Sequence, residues 1–178
     1  GVPDDRNWLT TVDETCDECG FDASAIPEAG LADAVRALGD AWRAGFVLAA
    51  PSITDRPDDV TWSALEYACH TRDVLSVFAG RVSLALVEDD PELGWWDHEA
   101  AAVDEAYNQQ DPGAVLADLD LNAAHLADVL DAVPGDAWGR AATRRGTERF
   151  TIAGMARFCL HEGHHHLRDA RLAAAPAN

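Results

Sequence analysis

Residues 158–169 read Phe158-Cys159-Leu160-His161-Glu162-Gly163-His164-His165-His166-Leu167-Arg168-Asp169, placing four of the chain's seven histidines within six consecutive positions. The apolar residues here recur at helical spacing. On an α-helix, positions four apart differ by about 40° of rotation and about one turn of rise, so His161 and His165 point the same way. A helix presents two imidazoles to one metal ion in this manner. Phe158 and Leu172 fall near the same face, which is expected to aim the pair at a protein interior or cleft. The competing reading is a solvated helix with one or two core histidines; in either reading His164 and His166, on other faces, are expected as supporting or surface residues. A third ligand on another apolar helical face separates the two readings.

The chain has 178 residues, enough for one domain with its own core. Residues 1–26 are expected to form an irregular arm and residues 27–178 the domain. Thirteen basic residues face 32 acidic ones, for a net charge of −19. Such a field repels phosphate backbones and anionic membranes, so nucleic acid and membrane partners are not expected. No apolar run approaches the roughly 20 residues of a membrane span. All the basic residues are arginine, which excludes lysine Schiff-base chemistry and P-loop phosphate binding. Arg140, Arg144, Arg145, Arg149, Arg157, Arg168 and Arg171 crowd the last quarter. Arg144, Arg145 and Arg149 are candidates to hold a carboxylate of a small substrate; the alternative is pairing with acids of neighbouring helices.

No signal-peptide pattern is seen, and four cysteines are expected as free thiols in a reducing cytoplasm. Cys69 and Cys159 sit in apolar helical patterns and read as small buried hydrophobes. Cys16 and Cys19 form a C-x-x-C followed by Gly20. One such motif supplies only two metal ligands, and its flanks offer no obvious others, so a redox pair, a local clip and a reactive thiol all remain open. The two cysteines are expected to lie close together, on an arm anchored to the domain by Trp8, Leu9 and Val12.

Along the chain, Pro27 starts a helix whose apolar residues Leu31, Val35, Leu38, Trp42 and Phe46 carry it to about residue 50. A second helix runs from Trp62 to Leu86, capped by Asp59 or Thr61. His70 faces inward on it, with Asp73 placed to orient the ring. Residues 88–112 are acidic and less periodic, with Trp95 and Trp96, and read as a wall or lid over a pocket. Asp111-Pro112 opens a third helix, residues 138–150 are irregular or weakly extended, and Thr151 caps the last helix. Four helices with long connections and no strand alternation give an all-α four-helix bundle. His70, His161 and His165 then supply three nitrogen ligands if their helices are neighbours. Three ligands and an open position characterise a catalytic centre.

Trp62-Ser63-Ala64-Leu65-Glu66-Tyr67-Ala68-Cys69-His70-Thr71-Arg72-Asp73, a long spacer, and His161-x-x-x-His165-His166-Leu167-x-Asp169 together resemble the DinB/YfiT-like superfamily. Cys16-x-x-Cys19-Gly20-Phe21-Asp22 resembles an arm of one subgroup. The resemblance implies an up-down-down-up bundle holding zinc or nickel through His70, His161 and His165. It also implies transfer or isomerisation with a low-molecular-weight thiol such as mycothiol. Some thiol-dependent members carry glutamate in place of one terminal-helix histidine, and Glu162 with His166 forms such an E-x-x-x-H on an adjacent face. His161 and His165 are the expected pair because of the Phe158 and Leu172 stripe. The alternatives to a thiol transferase are a hydrolase using bound hydroxide, with Glu162 or Asp73 as proton shuttle, and a non-enzymatic metal-binding stress or interaction protein. Pairing into a homodimer is a further expectation.

Overall fold

The computed structural model describes residues 8–46, 48 and 50–175. Its helices are α1 (Leu31–Gly45), α2 (Ala64–Val87), a short α3 (His98–Asp104), α4 (Pro112–Asp131) and α5 (Ile152–Ala173). The long ones after α1 begin at residues whose side chains accept from orphaned first-turn N–H groups. Asp111 and Thr151 cap α4 and α5 as their sequences predict. The α2 cap is Ser63, not Asp59 or Thr61: its hydroxyl accepts from the Glu66 N–H while Glu66 accepts from the Ser63 N–H. That reciprocal capping box satisfies two donors at once and fixes the start. α1 is shorter than its apolar pattern suggests. A 3-10 turn at Glu28–Gly30 precedes it, and it ends at Gly45, where Phe46 is extended and its ring returns to within 5.8 Å of Trp42.

Cross-helix pairs give the directions. Leu38 and Gly45 of α1 meet Gly163 and Leu167 of α5, so those helices are parallel. Arg36 pairs with Asp128 and Asp131 while Arg43 reaches Asp120, so α1 and α4 are antiparallel. Tyr67, His70 and Phe78 of α2 meet His166, Glu162 and Phe158 of α5, again antiparallel. The result is an up-down-down-up four-helix bundle in which α1 and α2 each pack on α4 and α5. Consecutive helices α1 and α2 therefore lie across the core from each other, which is why their connections are long.

Leu38, Trp42, Leu65, Leu126, Met155 and Leu160 are fully buried between these helices. Gly163 lets α5 approach α1: a Cβ there would stand 2.3 Å from a Leu38 methyl, and the Trp42 indole N–H donates to the Gly163 carbonyl at 3.0 Å. Gly163→Ala is expected to cost about 1–3 kcal/mol through overpacking, despite alanine's better helix propensity. Urea unfolding measures this, and an unchanged or raised midpoint would refute it.

The structure adds a small sheet to the all-helical expectation: β1 (Glu92–Leu93), β2 (Ala141–Arg144) and β3 (Glu148–Thr151), in that spatial order. β1 is parallel to β2, and β2 and β3 form a hairpin whose turn holds Arg145 and Gly146 at φ 51° and 75°. Strands of two to four residues are too short to show alternation. Before β2, Arg140 caps the end of α2, donating to the carbonyls of Ala85 at 2.7 Å and Glu88 at 3.0 Å.

The arm docks on α5 through 3-10 turns at Trp8–Val12 and Ala23–Ala25. Leu9 and Val12 pack against the core, and the Trp8 side chain lies outside the described residues. The Arg157 guanidinium ties the arm's end down by donating to the Ile26 carbonyl at 2.8 Å. Among the described residues, no helix is long and apolar enough to cross a membrane.

Candidate metal centre

α5 carries two histidine-containing pairs at i, i+4 spacing, offset by one residue: His161 with His165, and Glu162 with His166. One residue of offset is about 100° of rotation, so the pairs address different neighbours. The structure sends Glu162 and His166 toward α2, where they meet His70; one donor atom from each of the three lies within 4.8 Å of the others. His161 and His165 face the arm instead, and converge with Cys16 and Cys19 to the same closeness. The three histidines expected as one ligand set are thus divided between two clusters. The inward stripe that favoured His161 and His165 also fails at Leu172, which is 59% exposed while Phe158 is buried. α1 ends at Gly45 opposite Leu167, so Leu172 projects past the end of its neighbour.

The α2-facing cluster is buried, and its charges are mutually arranged. His70 Nε2 stands 3.3 Å from the Glu162 carboxylate and His166 Nε2 2.8 Å from it. His166 Nδ1 lies 3.0 Å from Asp169, which fixes the ring and leaves Nε2 turned to the cluster. Burial by itself would raise the Glu162 pKa, but bonds from His166 and His70 outweigh it and hold the carboxyl well below the usual carboxylate range. Burial would lower the pKa of His166, yet Asp169 and Glu162 push it up to about 9. His70 is lowered, chiefly by burial. His70 Nδ1 is buried with no hydrogen-bond partner among the described residues. Two imidazoles and one ionised carboxylate, with no fourth protein donor among the described residues, form a donor set that fits a divalent ion with open positions. An ion held there would take the place of the His166 proton, so its affinity would rise with pH.

Aromatic rings wall this cluster. Trp96 stacks on His70 at 5.6 Å and an interplanar angle of 8°, Trp62 lies 5.2 Å from it, and Tyr67 stacks on His166 at 5.2 Å. His98, at the start of α3, stands 5.5 Å from His70, ring centre to ring centre. The acidic excursion between α2 and α4 is therefore a wall of the site, and Trp96 and His98 are residues that periodicity could not place.

The remaining sequence candidates lie elsewhere. Asp73 turns away from His70: Arg72 donates to it at 2.9 Å and the Tyr107 hydroxyl also donates to it. Arg144 and Arg145 both pair with Glu148, and their guanidinium groups lie over the Trp95 ring at 5.2 and 4.0 Å. Arg149 stands 3.6 Å from Asp90. All three pair with acids, Arg144 and Arg145 with Glu148 of their own hairpin and Arg149 with Asp90 of the segment after α2, and not with acids of neighbouring helices. Cys69 and Cys159 are buried and free, and burial pushes both thiols up, Cys69 to about 12. His164 stacks on Phe21 of the arm at 4.1 Å.

A model of the DinB superfamily matches residues 47–170. Among solved structures, the chain is similar to YfiT from Bacillus subtilis, described as "a probable metal-dependent hydrolase with an unusual four-helix bundle topology", at TM-score 0.75 and 17% identity over 90% of this chain and 89% of that one. At that identity the likeness bears on the fold. No curated protein matches the chain in sequence.

Proposed function

The chain belongs to the DinB superfamily, and from that premise we propose that it is a metal-dependent enzyme in which His70, Glu162 and His166 hold a divalent ion, zinc or nickel, and a low-molecular-weight thiol such as mycothiol attacks an organic electrophile. The observation that carries the reading is the buried convergence of these three donors, with no fourth protein ligand beside them among the described residues. A bound ion would supply Lewis acidity, lowering the pKa of a thiol or water that joins it.

The chain's own residues do the rest. Glu162 stays ionised because two imidazoles face it, and so offers negative charge to the centre. Asp169 holds His166 by Nδ1 and keeps Nε2 directed inward. Trp62, Tyr67 and Trp96 exclude water and present flat apolar faces, which suit an unsaturated or aromatic organic substrate better than a phosphorylated one. The glutamate of E-x-x-x-H favours the thiol, because it resembles the thiol-dependent members. Thiol chemistry of this kind belongs in a reducing cytoplasm.

Hydrolysis is the second reading. It is favoured by His98 beside His70, an imidazole placed to take a proton from water, and by the description of YfiT as a probable hydrolase. Metal-reconstituted protein given mycothiol and a generic electrophile is expected to consume thiol faster than chelated protein. Ester or amide cleavage without thiol, together with no thiol consumption, would replace the transferase reading by the hydrolase one. Neither activity over a broad substrate panel would remove both.

A further inference from the structure

The C-x-x-C of the arm finds in the fold the partners its flanks lack. Cys16 Sγ lies 3.7 Å from His165 Nδ1 across 149 residues of sequence. Donor atoms of Cys16, Cys19, His161 and His165 all lie within 4.8 Å of one another. Tetrahedral ligands at ordinary zinc–sulfur and zinc–nitrogen bond lengths stand about 3.3–3.8 Å apart, so the four need only a small closure to enclose one ion. Cys16, His161 and His165 are buried and Cys19 is half-buried, which leaves an entry path on the arm's outer side.

Two further features point to a ligand. The backbone around the cysteines is tightly turned: Gly20 N–H donates to the Cys16 carbonyl at 2.8 Å, Cys16 N–H donates to the Phe21 carbonyl at 3.0 Å, and Gly20 sits at φ 74°. His165 is oriented as a ligand would be. With Nδ1 toward Cys16, its Nε2 faces the carboxylates of Glu18 at 3.4 Å and Asp169 at 3.5 Å. A carboxylate behind the second ring nitrogen is the support that metal-bound histidines use.

We propose that Cys16, Cys19, His161 and His165 form a second, closed zinc site that staples the arm to α5, distinct from the open centre at His70, Glu162 and His166. Four protein ligands of type S2N2 suit zinc and leave no position for a substrate, so the site is structural. Each thiol gives up its proton to solvent as the ion enters. The site borders the open centre. His165 and His166 are adjacent, their rings 5.9 Å apart, and Asp169 stands behind both. The arm is thereby fastened to the helix face next to the reacting one. The proposal stands whether or not the open centre performs thiol transfer.

Cobalt tests it on the reduced, metal-stripped full chain. Titrated Co2+ is expected to produce the intense visible bands of a tetrahedral site and a thiolate-to-cobalt charge-transfer band whose final intensity corresponds to one thiolate-bound cobalt per chain, bleached by Zn2+. The paired change Cys16→Ser with Cys19→Ser is expected to abolish the charge-transfer band, and His70→Ala to retain it. No such band in the unaltered chain, its persistence in the cysteine variant, or its loss in His70→Ala would overturn the proposal. The unaltered chain also decides the matter should the cysteine variant fail to fold. Zn2+ is expected to protect Cys16 and Cys19 from iodoacetamide, read by peptide mass, and chelation to restore labelling. Equal labelling with and without zinc, or recovery of a Cys16–Cys19 disulfide under reducing conditions, refutes the site.

Discussion

His166→Ala is expected to lower metal-dependent turnover by roughly a thousandfold or more, with one equivalent of metal lost, because Lewis-acid stabilisation worth several kcal/mol goes with the ion. His166 contributes more than a nitrogen. It stands 2.8 Å from Glu162 and 3.0 Å from Asp169, so its removal leaves two buried or half-buried carboxylates facing one another without the cation between them. His70→Ala is expected to do the same from the α2 side. The decisive comparison is with His161→Ala, since His161 faces the arm. Loss of turnover in His161→Ala with retention in His166→Ala would return His70 to the company of His161 and His165 and dismantle the site described here. Kinetics with inductively coupled plasma metal analysis on the same preparations reads both quantities.

Asp169→Ala is expected to weaken metal binding at both clusters by about 10–100-fold, the usual effect of removing the carboxylate behind a ligating histidine. A single side chain serves both because consecutive histidines on α5 diverge by about 100° while their outer nitrogens turn back toward the next helical turn. Its Oδ2 lies 3.0 Å from His166 Nδ1 and 3.5 Å from His165 Nε2. Asp169→Asn keeps one acceptor and is expected to fall between the two. Competition against chelators of graded strength separates the affinities. A drop at one class of site alone would confine the role of Asp169 to that cluster, and no drop at either would show it to be an ordinary surface acid.

Periodicity was enough for the long helices. Leu31, Val35, Leu38 and Trp42 mark α1, and apolar positions recurring over 20 or more residues mark α2, α4 and α5, because a stripe repeated over several turns has no other regular solution. Asp111 and Thr151 announced their helices by local chemistry alone. The strands β1, β2 and β3 could not be read this way. β1 exists through pairing with residues some 50 positions onward and β2 with β3 through a tight hairpin, and a run of two to four residues carries no period of its own. The arginines of the last quarter were legible as a charge cluster but not as Arg144 and Arg145 sharing Glu148, which depends on the hairpin turn.

Residues 158–169 show both sides of this division. The residues alone tell of a helix there with two metal-competent pairs one residue apart, of His70 facing inward on another helix, and of Cys16 and Cys19 together on an arm. Which pair belongs to which partner depends on how the helices and the arm pack. A stripe argument assumes that one face of a helix is buried and the other wet, whereas α5 is buried nearly all round from Ile152 to Leu167 because α1 and α2 cover one side and the arm covers another. With no wet face to exclude, hydrophobic spacing could not choose between His161 with His165 and Glu162 with His166. The choice was made by the antiparallel packing of α2, which brings His70 to Glu162 and His166, and by the docking of the arm, which brings Cys16 to His165.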